Sequence, residues 1–243
     1  MAVSTQIKII LIRFASMFCC SKKSKAIFYH DIHSDQRFTN MSTSVELFKK
    51  HIQIIRESGH EIVSKISKET GQIEISFDDA YLGLYCNFNV IKELDIPIQL
   101  FVVSSFLEKD NHINKTQLLE LNKSDLITIS SHTNSHKILS EIDAETCRFE
   151  LTESKKGLEE LLDTEVNSLC FPEGKFNNQT IKIANEVGYE KKYSSLPGFY
   201  FDEFTQGVKK RSLVQFAREK EFKAILKGGD HILSLWYKLK HFK

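Results

Sequence analysis

Two adjacent carboxylates close a hydrophobic run in the first third of the chain. The segment Ile73-Glu-Ile-Ser-Phe-Asp-Asp-Ala80 predicts a buried strand that ends on Asp78 and Asp79. Neighbouring residues at a strand end point in different directions, so one carboxylate can bind a metal ion while the other acts on a substrate. The alternative is a helix cap and a turn residue ahead of the helix predicted from Leu84, which is a common role for aspartate.

Two histidines follow a second hydrophobic run. The segment Leu126-Ile-Thr-Ile-Ser-Ser-His-Thr-Asn-Ser-His136 predicts a strand followed by an HxxxH spacing. If the turn after the strand is helical, His132 and His136 lie on one face and are close enough to share an ion. The alternative is a pair of ordinary surface histidines. Together with Asp79 they offer two nitrogen ligands and one oxygen ligand, an open set that is typical of catalytic metal sites.

The order and spacing of three motifs resemble the polysaccharide deacetylase family, the NodB-like carbohydrate esterases of family four. The motifs are Ser76-Phe-Asp-Asp79, Ser131-His-Thr-Asn-Ser-His136 and Phe171-Pro-Glu-Gly174. The resemblance implies a distorted (β/α) barrel of about seven strands that removes acetyl groups from acetylated sugars. It also implies that one divalent ion, zinc or alternatively cobalt, nickel or iron, is bound by Asp79, His132 and His136. In the same family pattern Asp78 is the general base that takes a proton from the attacking water.

The third motif departs from the family pattern. Where many relatives read Phe-Pro-Tyr-Gly, this chain places a negative charge at Glu173. We therefore expect an altered wall facing the sugar. The residues expected to contact the substrate are Phe171, Pro172, Glu173 and Gly174.

The general acid of many relatives is a late histidine in a Leu-x-His motif, and nothing downstream of Phe171 fits that motif. The segment Ile27-Phe-Tyr-His-Asp-Ile-His33 resembles instead the start of a permuted exopolysaccharide deacetylase subgroup, which makes His30 the acid. The alternative for His30 is a core histidine bonded to the backbone. Arg211 resembles an arginine that closes the barrel and orients a carboxylate in such proteins, and an exposed salt bridge is the alternative.

Short β-rich runs alternate with segments of helical period from residue 26 onward, which is the pattern of an α/β fold with a mostly parallel sheet. The predicted strands are Ala26–Ile32, Glu61–Ser64, Ile73–Asp78, Ile98–Val103, Leu126–Ser130, Ser168–Phe171, Lys191–Ser195 and Val208–Leu213. The predicted helices are Val45–Ile55, Leu84–Leu94, Leu151–Leu162 and Ile181–Val187. Periodicity fits a closed barrel and an open doubly wound sheet equally well, and both gather the chemistry at the carboxyl ends of the strands.

Composition excludes some classes of protein. The 33 Lys and Arg residues nearly balance the 32 Asp and Glu residues, so there is no overall positive field to favour nucleic acid. Five cysteines without a CxxC pair indicate neither a zinc-thiolate site nor a disulfide framework, and reduced thiols in the cytoplasm are the simplest interpretation. With 243 residues we expect one catalytic domain, 26–227, between a basic apolar segment, 1–25, and a basic aromatic tail, 228–243.

Both ends of the chain are apolar and cationic. Lys8 and Arg13 interrupt the first apolar run, which is too short to span a bilayer and has no clean cleavage site. Such segments either lie on an anionic membrane surface or pack on the domain as terminal helices. We therefore predict a cytoplasmic protein, with membrane association at the inner face as one alternative.

The leading functional hypothesis is a metal-dependent hydrolase that removes an acetyl group from an N-acetylated sugar of a polysaccharide or glycan precursor. A deformylase or O-acetyl esterase acting on a lipid-linked sugar would use the same site. A non-catalytic glycan-binding module is the alternative from another class, because the third motif is altered and the late histidine is missing.

Overall fold

A nine-stranded, all-parallel sheet with helices packed around it forms the body of the protein. The computed structural model describes residues 5–18, 21–202 and 207–241. The strands are β1 (Lys25–Tyr29), β2 (Asp31–His33), β3 (Ser42–Ser44), β4 (Glu61–Ile62), β5 (Gln72–Asp78), β6 (Ile98–Val102), β7 (Ile127–Ser131), β8 (Ser168–Cys170), β9 (Lys191–Tyr193), β10 (Val208–Lys209) and β11 (Arg211–Leu213). The helices are α1 (Thr5–Ser16), α2 (Val45–Glu57), α3 (Leu82–Cys86), α4 (Phe88–Leu94), α5 (Lys115–Asn122), α6 (Ala144–Leu162), α7 (Asn178–Val187), α8 (Glu219–Leu226) and α9 (Ser234–His241).

The two edge strands of the sheet, β10 and β11, are joined by the covalent chain and not by a hydrogen-bond ladder. The strand order is β10-β9-β8-β7-β6-β5-β1-β11, with β4 paired to β5. Among the described strands no ladder joins β10 to β11, yet only Lys210 separates them in sequence. The segment 208–213, which we name the closing segment, pairs first with β9 and then with β1. The distorted α/β barrel predicted from the family resemblance is confirmed, and its last predicted strand is divided between two edges.

The hydrophobic core lies on both faces of the sheet. All seven residues of β5 are buried, which is expected where a parallel sheet has side chains packed against both of its faces. Ser44 caps the N-terminus of α2, because its side chain accepts a hydrogen bond from the Leu47 backbone N–H. The apolar residues Phe48, Ile52 and Ile55 of this helix are fully buried, as the three-and-four spacing predicts.

Two further predicted elements are also divided in the structure. The strand predicted over Ala26–Ile32 breaks at His30, because β1 joins the main sheet while β2 pairs with β3 in a separate two-stranded sheet. The helix predicted over Leu84–Leu94 is two helices that meet at Asn87, whose side-chain amide donates to the Gly83 carbonyl. The first break leaves His30 at the carboxyl end of a barrel strand.

The terminal segments lie against the barrel. The helix α1 packs on α8 and on the short 3-10 turn at Gly229–Leu233. Inside the same region Lys25 and Asp230 form a buried ion pair with an Nζ–Oδ1 distance of 2.9 Å. No helix in the described residues combines the length and the apolar character needed to cross a bilayer.

Candidate active site

The site lies at the edge of the sheet where β5 and β7 end, one on each side of β6. Asp78 is the last residue of β5, and His132 directly follows the last residue of β7. Asp79 and Ala80 take left-handed backbone conformations, with φ of 71° and 57°. This turn carries Asp79 out of the strand direction, so the two adjacent carboxylates face different partners.

Asp79, His132 and His136 converge on one point. Their ligand atoms all lie within 4.8 Å of one another. The Oδ1 atom of Asp79 is 3.6 Å from Nε2 of His132 and 3.5 Å from Nε2 of His136. The two imidazole rings are nearly perpendicular, at 77°, with centroids 4.8 Å apart. The structure thus brings together the three residues predicted as metal ligands.

The donor atoms of this cluster suit a divalent cation. Oδ1 of Asp79 is buried without a hydrogen-bond partner, and burial raises the pKa of Asp79 to about 6. The Nδ1–H of His132 donates to the Cys170 carbonyl at 2.8 Å, which leaves the Nε2 lone pair for a ligand bond. Burial lowers the pKa of His132 to about 3 and also lowers that of His136, so both rings are neutral. An orphaned carboxylate oxygen beside two neutral imidazoles is a donor set that zinc binds.

The segment between the two histidines is a loop, so the helical turn considered as one way to align them is not formed. Thr133 and His136 have φ of 68° and 62°, which is a costly conformation for residues other than glycine. The buried carboxylate of Glu150 fixes the loop by accepting two hydrogen bonds, from the Ser135 N–H at 2.7 Å and from the Ser135 hydroxyl at 2.5 Å. Tertiary hydrogen bonds, and not the periodicity of a helix, therefore bring the two rings together.

Asp78 is held by Arg211. The guanidinium donates to both carboxylate oxygens, NH1 to Oδ1 at 2.7 Å and NH2 to Oδ2 at 2.8 Å. The pair is buried, with side-chain exposures of 1% and 5%, so the alternative of an exposed salt bridge is wrong. Burial alone would raise the pKa of Asp78, but the Arg211 charge more than offsets it and lowers the pKa to about 2. Asp78 is therefore ionised at every physiological pH.

A second group of possible ligands, Asp78, His132 and Cys170, shares His132 with the first and is fully buried. It fits a cation less well, because both oxygens of Asp78 already accept from Arg211. Burial raises the pKa of the Cys170 thiol well above its usual value, and a protonated thiol is a poor metal ligand. Cys170 Sγ instead lies 2.7 Å from NH2 of Arg211. The cluster of Asp79, His132 and His136 is therefore the better candidate metal site.

His30 lines the same cavity from the end of β1. Its Nδ1 lies 2.6 Å from the Oε1 atom of Gln215, which accepts a hydrogen bond whether the imidazole is neutral or charged. Nε2 is then the ring atom that remains to exchange a proton. The partner of Nδ1 is a side chain, so the alternative of a core histidine bonded to the backbone does not describe His30.

The third motif forms part of the wall of a cavity of about 550 Å³, which falls in the range of small-molecule sites. Phe171, Glu173 and Gly174 line this cavity, whereas Pro172 is buried and does not line it. Gly174 has φ of 67° and packs against the side chain of Ser195, which leaves no room for a Cβ atom. Glu173 also has a positive φ, 53°, and its side chain is exposed at the mouth.

Two residues that support the site escaped the sequence analysis. Gln215 follows β11 by two residues, and its position at a strand end was the available signal. Glu150 lies within α6, and nothing in its local sequence distinguishes it from other helical glutamates.

Comparisons with known proteins identify the family of the chain. The family model described as "Polysaccharide deacetylase" matches residues 65–191, just over half of the chain. YxkH of Bacillus subtilis, which carries the name of a polysaccharide deacetylase, is 22% identical over 187 residues. That match covers 72% of this chain and 66% of YxkH, so the chain spans slightly less than two thirds of that relative. The metal cluster and Asp78 lie inside the family match, while His30 and Arg211 lie outside it.

Solved structures share the fold. The deacetylase PplD of Streptococcus pyogenes, solved in complex with acetate, superposes with a TM-score of 0.73 at 17% identity, covering 82% of this chain and 96% of that one. The polysaccharide deacetylase BC0361 of Bacillus cereus gives a TM-score of 0.72 at 18% identity, covering 84% of this chain and 69% of that one.

Proposed function

The chain belongs to the polysaccharide deacetylase family, and we propose that it is a metal-dependent hydrolase that removes an acetyl group from an N-acetylated sugar of a polysaccharide or glycan precursor. One observation carries the proposal. The orphaned oxygen of Asp79 faces two neutral imidazoles beside an ionised carboxylate, Asp78, inside a cavity of sugar size.

Asp79, His132 and His136 are the residues that would hold the metal. The resident ion is zinc in this proposal, with cobalt, nickel or iron as alternatives, since nitrogen ligands disfavour calcium and magnesium. A bound divalent ion supplies Lewis acidity, which lowers the pKa of water towards neutrality and polarises a carbonyl.

The residues around the cluster divide the proton transfers. Asp78 accepts a proton from the water that attacks the acetyl carbonyl carbon, and Arg211 keeps its carboxylate ionised and oriented. The carbon–nitrogen bond then breaks, and Nε2 of His30 gives a proton to the leaving amine. Water is consumed, and acetate and a free amino sugar are released.

Glu173 bears on the choice of substrate. Its carboxylate stands at the mouth of the cavity, in the third-motif position that is often aromatic in the family. A carboxylate accepts hydrogen bonds from sugar hydroxyls but offers no stacking face. We therefore include Phe171, Glu173 and Gly174 in the substrate wall, with hydroxyl recognition in place of stacking. The cytoplasmic location stays a prediction.

The test separates metal binding from chemistry. Asp79→Asn and His132→Ala should remove both bound metal and acetate release from N-acetylated sugars. Asp78→Asn should retain the metal and lose turnover. His231→Ala, at a histidine that does not line the cavity, is the matched control and should change neither quantity.

Unchanged turnover in Asp79→Asn would refute the metal assignment. Full metal occupancy in the native chain, with no acetate released across a panel of acylated sugars, would favour the non-catalytic glycan-binding module. His30→Ala should reduce turnover by about 10²–10⁴-fold at unchanged metal content, which is the usual contribution of a general acid.

A further inference from the structure

The outward face of α1 is an exposed apolar stripe. Its members recur at spacings of three and four and continue just past the helix end, with exposures between 37% and 76%: Ile7, Ile10, Leu11, Phe14, Met17 and Phe18. Water-exposed apolar surface of this extent marks an interaction site in most soluble proteins. A helix of this length would ordinarily present polar residues on its solvent side.

The opposite face of α1 belongs to the candidate active site. Ile12 is buried, and Ile9 and Ile12 line the cavity that contains Asp78, Asp79 and the two histidine ligands. A single helix therefore forms a wall of the cavity on one side and the apolar stripe on the other. Whatever covers the stripe must lie next to the cavity.

Charge indicates what covers it. Residues 1–23 and 231–243 contain seven of the 33 Lys and Arg residues and none of the 32 Asp and Glu residues. The rest of the chain therefore has a formal charge of −6, although the whole protein is nearly neutral. Cations flanking an apolar helical face match an anionic bilayer, because the apolar side chains enter the interface while the cations meet the headgroups. Arg13 is exposed on α1 itself.

The cavity has the lining that an amphiphile needs. The strand ends contribute carboxylates and imidazoles, whereas the terminal helices and the 3-10 turn contribute mainly apolar residues, with Lys8, Glu221 and Asp230 as charged exceptions. The apolar contributors are Ile9, Ile12, Ile225, Leu233 and Tyr237. At the rim Leu213 and Phe216 are also exposed, by 48% and 58%. A sugar could occupy the polar part while the first segment of a lipid chain lies along the apolar part.

We infer that α1 docks the protein onto an anionic bilayer and that the site acts on an acetylated sugar carried by a lipid in that bilayer. The substrate half of this inference rests on the proposed function, whereas the docking half does not. The two alternatives for the N-terminal segment, packing on the domain and lying on a membrane, are then both true, because its inner face packs on the domain and its outer face contacts the membrane.

Vesicle binding tests the docking half with the full chain. The protein should co-sediment with vesicles of phosphatidylcholine and phosphatidylglycerol, and less with phosphatidylcholine alone, and salt should weaken the difference. The pair of changes Ile10→Ser and Phe14→Ser should weaken binding by about tenfold per side chain. Phe149→Ser is the matched control, because Phe149 is 56% exposed against 59% for Phe14 and lies on α6 away from the cavity.

Turnover tests the substrate half. The two probes are a soluble N-acetylglucosamine oligomer and N-acetylglucosamine linked through phosphate to a polyprenol in the same vesicles. The stripe variant should lose at least tenfold in turnover of the vesicle-borne probe and keep its rate on the soluble one. Equal losses of turnover on both probes, or no preference of the native chain for the vesicle-borne probe, would overturn the substrate half of the inference.

The outcomes distinguish this inference from the proposed function. A chain that deacetylates the soluble probe but ignores vesicles refutes docking and leaves the deacetylase intact. A chain that binds vesicles but processes neither probe in the presence of zinc refutes the deacetylase and leaves docking intact. A dimer that depends on the stripe and does not bind vesicles would show that a second copy of the chain covers α1, which also overturns the inference.

Discussion

Replacing Arg211 by methionine isolates the ion pair that holds the proposed base. The guanidinium makes two hydrogen bonds of 2.7 and 2.8 Å to Asp78, and both side chains are buried. Methionine fills similar volume but leaves an uncompensated carboxylate in the core. Breaking a buried pair from one side typically costs about 3–5 kcal/mol. That is a large part of the roughly 5–15 kcal/mol that stabilises a domain.

The pH dependence of stability should change sign at this site. In the native protein the pKa of Asp78 is about 2, below its unfolded value, so the pair stabilises the fold above the unfolded pKa and loses that contribution as pH falls towards 2. Without Arg211, burial raises the pKa of Asp78 above the unfolded value. The variant should therefore gain stability as pH is lowered from 7 towards about 4, the ordinary aspartate range.

Urea unfolding of the metal-free protein at several pH values measures both effects. Arg211→Lys should lose less free energy of unfolding, since it keeps the charge without the paired hydrogen bonds. The double variant Arg211→Met with Asp78→Leu should recover much of the loss, because no lone charge remains. A loss below about 1 kcal/mol in Arg211→Met, or a double variant no more stable than the single one, would refute the reasoning.

Three further predictions concern residues that support the site or the core. Glu150→Gln should weaken zinc affinity by about 10–100-fold, read by competition with a chelator, because it removes charge from the Ser135 bonds that fix the ligand loop. Gln215→Ala should lower turnover of amide substrates more than of acetyl esters with good leaving groups, since it frees the acid His30; equal losses would contradict that role. Burial lowers the pKa of His51 to about 4, so the fold should lose about 2 kcal/mol between pH 6.5 and 5 as the unfolded state takes up a proton. His51→Gln should flatten this part of the pH profile of urea unfolding.

The proposed metal cluster was predictable because its signals are local. Each ligand follows a hydrophobic run that ends at a strand end, and the carboxyl ends of parallel strands share one edge of a sheet. The identity of Asp79, His132 and His136 as one group follows from that rule together with the family resemblance. The loop conformation between the histidines did not follow, because it depends on Glu150, a residue of the next helix.

Partners that meet across the barrel were harder to predict. The exposed-pair alternative for Arg211 failed because burial depends on where the closing segment pairs, and periodicity does not report pairing partners. The break of the first strand at His30 also escaped prediction. His30 and Asp31 are the only polar pair within the apolar run Ala26–Ile32, and such a pair does not by itself show that a strand ends. The short strands β10 and β11 offered too few residues for a pattern to show the division at Lys210.

The closing segment makes the site a late product of biosynthesis. It pairs Ala26 with Arg211, so the last strand of the barrel to be synthesised pairs with the first one. A ribosome-bound chain that has emerged only to β9 already contains every proposed metal ligand, but its Asp78 still lacks the Arg211 guanidinium that compensates its burial. Long-range contacts of this kind form slowly and leave intermediates exposed. Assembly of the proposed hydrolytic centre is thereby coupled to synthesis of the closing segment, and we expect chains stopped before that segment to be inactive.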